Sequence, residues 1–239
     1  MSRTLVIGDI HGGLKALEQA FERAAVTATD HLVFVGDYVD GWSQSAQVID
    51  FLLELKQECV FIKGNHDLWC EQWLYSGYAD KTWLAHGGKQ AVESYQHITA
   101  AQKQKHLHFF ATLELYYVDP QNRLFIHGGF TAEDGPENEA DALVFTIDRS
   151  LWKNALALRG EFSNNNLPAP YNRFHEIFIG HTPTLYFDET NPMQGLNMWN
   201  IDTGAAFTGK LSIMDANSKE FWQSDPLPLL YPGEKGRNK

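Results

Sequence analysis

One pattern occurs five times along the 239 residues and constrains the fold more than any other feature. A short apolar run ends at a glycine that adjoins an Asp, His or Asn. The instances are L-V-I-G-D-I-H-G (Asp9, His11), V-F-V-G-D-Y-V-D (Asp37, Asp40), V-F-I-K-G-N-H-D (Asn65, His66, Asp67), L-F-I-H-G-G (His127) and I-F-I-G-H-T-P (His181). Apolar runs this short read as buried strands. In parallel-type sheets, ligands gather beyond the carboxyl ends of the strands. Glycine lets the backbone turn sharply there and lets another group approach closely. Five strand ends therefore aim Asp, His and Asn side chains at one crevice.

The rest of the chain supports such a sheet. Residues 4–7, 32–35 and 60–63 read as strands separated by helices at 14–26 and 45–58, with Ser43 or Ser45 as the cap of the second helix. A β-α-β-α-β order predicts a right-handed parallel arrangement. Residues 68–113 read as mostly helical, broken by Gly77 and by Gly87-Gly88. Trp69, Trp73, Tyr75, Tyr78 and Trp83 in that stretch are each expected in the core, although a pocket wall is the alternative. Strands return at 115–118, 124–126, 177–179, 198–201, 211–214 and 221–223, the first two joined by a D-P-Q-N hairpin turn. Residues 131–141 read as an acidic solvated loop and 163–170 as a long mobile loop. Beyond Asp225, prolines are expected to exclude regular structure; residues 234–239 should fray, with Lys235, Arg237 and Lys239 as a solubilising tail. No linker divides the chain, so one α/β domain over 1–225 and an irregular tail over 226–239 are expected.

Composition narrows the function classes. At 44% hydrophobic and 21% charged residues, the chain can bury a core and is not disordered. Lys plus Arg number 19 against 30 Asp plus Glu, a net charge of −11, which argues against nucleic acid or an anionic membrane as partner. The two cysteines, Cys59 and Cys70, make no disulfide framework, and the N-terminus runs into a strand without a signal segment. A cytoplasmic location is the expectation. No apolar stretch reaches membrane-spanning length.

The donor types decide what such a crevice can bind. Without thiolates, carboxylate, imidazole and amide oxygen suit manganese, iron or zinc. Six or more donors exceed what one tetrahedral ion needs, whereas two ions sharing a bridging carboxylate would use them all. Two divalent ions carry four positive charges, and Asp9 and Asp37 return only two negatives. The loaded site would therefore draw a phosphate despite the overall charge.

The motifs G-D-I-H-G, G-D-Y-V-D, G-N-H-D, H-G-G and G-H-T-P, in this order over positions 8–183, resemble the calcineurin-like metallophosphoesterases. Within that superfamily they are most similar to the phosphoprotein phosphatases and their bacterial relatives, and I-D-T-G-A at 201–205 resembles the bacterial branch. The resemblance implies a sandwich of mixed sheets flanked by helices. It implies two divalent ions, manganese ahead of iron or zinc. Asp9, His11 and Asp37 would hold the first ion. Asp37, Asn65, His127 and His181 would hold the second, with Asp37 bridging. His66 would be the leaving-group acid, oriented by Asp40. The implied reaction is hydrolysis of phosphomonoesters, with a phosphoprotein or small phosphoester as partner, by a hydroxide generated between the ions.

One departure stands out. The family pattern places Arg after G-D-x-V-D, where this chain has Gly41 followed by Trp42. A second phosphate-gripping Arg that follows a Trp in the family is replaced by Lys153 after Trp152. Arg grips phosphate oxygens in pairs, which Lys does not reproduce. Lys63, Lys153, Arg149, Arg159 or Arg173 could fill in, and Trp42 could stack on a base or an aromatic leaving group. Three readings follow: a phosphomonoesterase, a dinucleoside polyphosphate or phosphodiester hydrolase, and a non-catalytic phospho-ligand binder. The sequence leaves the oligomeric state open.

Overall fold

The computed structural model describes residues 2–162 and 166–238. Ser163, Asn164 and Asn165, in the loop expected to be mobile, lie outside the described residues, as does Lys239.

Apolar runs and amphipathic stretches alternate as the sequence pattern demands. β1 (Thr4–Ile7), α1 (Leu14–Arg23), β2 (His31–Phe34), α2 (Ser45–Glu54) and β3 (Glu58–Phe61) form the predicted unit, and β1 pairs in parallel with β2 and β2 with β3. The second helix is shorter than expected. Leu55 turns extended (φ −57°, ψ 141°), and Glu58 already opens the next strand. Neither predicted serine caps α2; Gln44 occupies that position, and the Ser45 hydroxyl instead accepts from the Asp40 N–H at 2.9 Å.

The aromatic middle folds as α3 (Asn65–Ser76), α4 (Lys81–Trp83), α5 (Lys89–Ser94) and α6 (Ala100–Ala111). Gly77 ends α3 in the left-handed conformation (φ 73°), and a kink at His86-Gly87 separates α4 from α5, as the glycines suggested. β4 (Tyr116–Val118) and β5 (Arg123–Ile126) are the predicted hairpin. Its turn is held by Asp119, which accepts from the Gln121 and Arg123 N–H groups and from Arg123 Nε at 2.6 Å.

After α7 (Val144–Ile147) and α8 (Ser150–Ala157), the strands β6 (Glu176–Ile179), β7 (Met193–Gly195) and β8 (Met198–Asn200) complete a second sheet of order β4-β5-β6-β8-β7. No pattern in the sequence marks the short β7. β9 (Ser212–Asp215) and β10 (Phe221–Gln223) return to the first sheet, whose order is β10-β9-β1-β2-β3. The result is the expected α/β sandwich of two mixed sheets flanked by helices.

Val6, Val33 and Val35 of the first sheet meet Phe125, Phe178 and Ile201 of the second, all fully buried. Phe125 and Phe178 stack at 5.1 Å between ring centroids. Burying an aromatic ring contributes on the order of 3 kcal/mol, so this layer is a main cause of the two sheets packing face to face.

The C-terminal stretch departs from expectation. A helical turn, α9 (Leu227–Leu230), starts after Pro226, where the missing N–H costs nothing. The residues beyond it are pinned, not frayed. Ser43 donates from N and Oγ to Glu234, and the Arg237 N–H donates to the Ala206 carbonyl at 2.8 Å. No helix among the described residues is long and apolar enough to cross a membrane.

Candidate metal centre

The five strand-end motifs converge where the two sheets meet. The loops after β1, β2 and β3 bring Asp9, His11, Asp37, Asp40, Asn65 and His66; those after β5 and β6 bring His127 and His181. Two glycines of the pattern show why no larger residue fits. A Cβ on Gly64 would lie 2.1 Å from Asp37 Oδ1, and one on Gly180 would lie 2.2 Å from Asp9 Oδ1. The glycines are the space into which the carboxylates press.

The geometry yields two donor groups with one shared member. His11, Asp37 and His66 each bring a donor atom within 4.8 Å of the others, and so do Asp37, His127 and His181. Asp37 Oδ2 stands 3.5 Å from His11 Nε2 and 3.4 Å from His127 Nε2. Asp9 lies on the first side, 3.8 Å from His11 Nε2, and accepts from the His181 N–H at 3.2 Å. Asn65 lines the same cavity.

Three buried polar atoms of these residues have no protein partner among the described residues: His11 Nδ1, Asn65 Oδ1 and His127 Nε2. An unpartnered buried polar atom costs about 1–3 kcal/mol unless something binds it. His127 Nδ1 donates to the Val35 carbonyl at 2.7 Å, which turns Nε2 towards Asp37. Oxygen and imidazole donors of this type, oriented and unpaired, fit a pair of divalent cations.

Backbone strain marks the same place. Of the nine non-glycine residues with positive φ among the described residues, four are His11 (51°), Asp37 (56°), Asp40 (75°) and His181 (67°). Such conformations cost on the order of 1 kcal/mol each and persist where the surroundings hold them. The holding groups are visible. Asp67 accepts from the N–H groups of Asp37, Tyr38 and Gly64 at 2.8 to 2.9 Å, so the last residue of the G-N-H-D motif clamps the β2 and β3 loops together.

Burial sets the protonation pattern of this charge cluster. It pushes the Asp9 carboxyl up to about 7, against the pull of His127. It pushes His11 down to about 4, against Asp37. Burial would also lower His127, but the Asp37 charge beside it wins and raises that imidazole to about 10.

His66 and Asp40 form a dyad. Nδ1 and Oδ2 are 2.6 Å apart, and the Trp83 indole N–H donates to the same Oδ2 at 2.6 Å. Burial pushes the Asp40 carboxyl up and the His66 imidazole down, so each favours its neutral form without the other. Trp83, expected in the core with a pocket wall as the alternative, is buried, and its indole N–H gives it a second role.

The centre opens into a cavity of about 210 Å³. Trp69, His86, Ile147, Arg149 and Arg237 line it around the donors. His86, just before the Gly87-Gly88 break, thus lines the site. The cation candidates divide cleanly. Arg149 reaches the cavity. Lys63 is paired with Glu71 at 2.7 Å, Arg173 is paired with Glu137, and the exposed Lys153 and Arg159 do not line it. Trp42 is corrected outright. It is fully buried, stacks on Tyr231 at 5.2 Å and donates to the Ala205 carbonyl, so it is core and meets no ligand. Arg237 is the second correction, since a residue read as solubilising tail stands at the metal crevice.

Residues 2–203 match the calcineurin-like phosphoesterase family. The chain belongs to that family and is a hydrolase acting on phosphoesters. Among its relatives is the asymmetrical bis(5'-nucleosyl)-tetraphosphatase PrpE of Bacillus thuringiensis (strain Al Hakam), 26% identical over 97% of both chains. The enzyme of the same name from Oceanobacillus iheyensis is 25% identical over 90% of this chain and 89% of its own. Among solved structures, a metallophosphoesterase from Sphaerobacter thermophilus aligns with TM-score 0.57 and 18% identity over 94% and 89% of the two chains. A serine/threonine phosphatase from Saccharomyces cerevisiae aligns with TM-score 0.64 and 14% identity over 100% and 84%.

Proposed function

We propose that this protein hydrolyses phosphate esters or anhydrides at a two-metal centre, with a dinucleoside polyphosphate as its substrate class. In this reading Asp9, His11 and Asp37 hold one divalent ion and Asp37, Asn65, His127 and His181 the other, manganese ahead of iron or zinc. Such a pair, when bound, supplies an acidified water and neutralises charge on the phosphate oxygens. The protein's own groups do the rest. His66 stands at the cavity with Nδ1 held by Asp40, so a proton on Nε2 is aimed at the departing oxygen. The Trp83 N–H fixes Asp40 in turn. Asp9 holds a proton up to about pH 7, so metal uptake releases it, and affinity for manganese should weaken as pH falls below that value.

The observation that carries the substrate class is Trp69. Its ring stands 5.0 Å from His66 and lines both the metal cavity and an adjoining hollow of about 410 Å³ walled by Tyr75, Tyr78 and Trp83. Tyr75 and Tyr78 are 83% and 69% exposed, which core residues are not. An open aromatic trough next to a phosphate site suits a nucleobase, since stacking on such rings contributes about 1–3 kcal/mol per base. The names of the full-length relatives agree with this reading. The second reading, a phosphomonoesterase acting on phosphoprotein, is favoured by the size of the metal cavity, about 210 Å³, which accommodates a phosphoryl group without engaging the trough.

Rates on diadenosine tetraphosphate, a phosphoserine peptide and p-nitrophenyl phosphate, with manganese added, separate the two. A higher kcat/KM on the dinucleotide is expected, with Trp69→Ala raising KM for the dinucleotide about tenfold and leaving the aryl phosphate unchanged. A clear monoester preference would replace this reading by the second. No turnover above an Asp37→Asn control on any of the three would leave a phospho-ligand binder.

A further inference from the structure

The chain has no side chain at position 41, and the space beside Gly41 is filled from the far end of the sequence. A Cβ built on Gly41 would lie 3.4 Å from Cγ of Arg237, and one on Gly87 would lie 3.0 Å from the same atom. The Arg237 stem thus runs between two glycines that leave room for it. Its guanidinium reaches over the Phe207 ring, 5.3 Å from the centroid, and the residue lines the metal cavity together with Arg149. Arg237 Nε is buried with no hydrogen-bond partner, and Arg237 makes no ion pair among the described residues.

The delivery is built into the fold. Tyr231 stacks on the buried Trp42, Glu234 takes two bonds from Ser43, and Gly236 lies where a Cβ would be 2.6 Å from the Trp42 ring. Trp42 adjoins Gly41, so the surface that lacks a cation is also the surface on which the C-terminal strap is moored.

Resting on the phosphoesterase reading above, we propose that Arg237 is a phosphate-gripping residue of this site, carried in by the C-terminal strap to the place a side chain at position 41 would otherwise occupy. A guanidinium held on a packed stem, with its Nε unpaired and the rest of its fork free of carboxylates, is set to bind two oxygens of one phosphoryl group. Arg149 lines the same cavity as a second cation.

The test is calorimetric titration of inorganic phosphate into manganese-loaded protein, wild type against Arg237→Met, which keeps the stem's packing and removes the fork. We expect the phosphate Kd to rise at least tenfold with metal content and melting temperature unchanged, and KM for the phosphoester to rise with it. A Kd within twofold of wild type would overturn the proposal. Should Arg237→Met lower the melting temperature, Arg237→Lys decides. It preserves stem and charge, so a several-fold weaker phosphate affinity supports the two-pronged grip and an unchanged one overturns it. Because the readout is phosphate binding, it separates the two readings. Turnover with unaltered binding sinks Arg237 alone, whereas altered binding without any turnover sinks the hydrolase reading and leaves Arg237 standing.

Discussion

The two sheets build unequal halves of one site. The first, through the ends of β1, β2 and β3, brings the carboxylates Asp9, Asp37 and Asp40 together with Asn65, His11 and His66. The second, through the ends of β5 and β6, brings the imidazoles His127 and His181. The first half therefore carries the carboxylates, and the second supplies imidazoles that cross the joint to meet them. His127 makes the crossing explicit, with Nδ1 bonded to the Val35 carbonyl of the opposite half and Nε2 beside Asp37. A centre divided in this way exists only while the two sheets stay packed. The hydrophobic layer between them is as much a determinant of the chemistry as any donor.

The strongest way to break the division is to remove the residue common to both halves. Asp37→Asn should lower kcat/KM by on the order of 10³-fold or more and leave the protein with fewer than two ions by elemental analysis. Two tightly held ions in that variant would mean that Asp37 does not join the halves. Loosening the joint itself comes next. Phe178→Ala removes a ring that stacks on Phe125 of the same sheet and packs with Val6, Val33 and Val35 of the other; it should cost about 3–5 kcal/mol in urea unfolding and weaken manganese binding although Phe178 is not itself a donor. Metal affinity equal to wild type would show that the halves hold register without that layer.

Within the first half alone, Asp40→Asn unhooks the His66 dyad. It should lower kcat by roughly 10²-fold on an alkyl phosphate, whose leaving group needs a proton, and far less on p-nitrophenyl phosphate, whose leaving group does not. Equal losses on both substrates would assign Asp40 to positioning only. The smallest effect lies farther from the crevice. Asp30 takes bonds from Arg3 at 2.6 and 3.0 Å and from the Thr27 N–H, and the Arg3 bond, outweighing burial, lowers its carboxyl to about 2. A depressed carboxyl contributes stability that is present above its unfolded value near 3.8 and is lost as pH falls towards about 2. Asp30→Asn should therefore cost about 1–2 kcal/mol at pH 7 and nothing at pH 2, with metal content untouched. A pH-independent loss would point to packing instead of charge.

The local features were legible because each is written in a few consecutive residues. An apolar run ending in Gly-Asp or Gly-His encodes both the strand and the turn that presents the donor, so the fold class and the donors that converge could be read directly. What escaped the reading depends on contacts between distant segments. Trp42 follows the β2 loop and looked available to a ligand, but Tyr231 and Ala205 cover it. Trp69 and Trp83 look alike within one aromatic stretch, yet one walls the cavity and the other holds Asp40. Arg237 sits among charged residues at the chain end, where composition suggests only solvation, and no periodicity marks a strap.

By itself, then, the amino-acid order determined most of the elements, the parallel arrangement of β1, β2 and β3 and the identity of the clustered Asp, His and Asn groups, because backbone propensity and strand-end chemistry are local. Only the tertiary structure decided which tryptophan is buried, which aromatic lines the cavity and which arginine stands beside the metal crevice. Those outcomes are choices between burial and exposure, and each is made by a neighbour that chain folding brings from far away in the sequence.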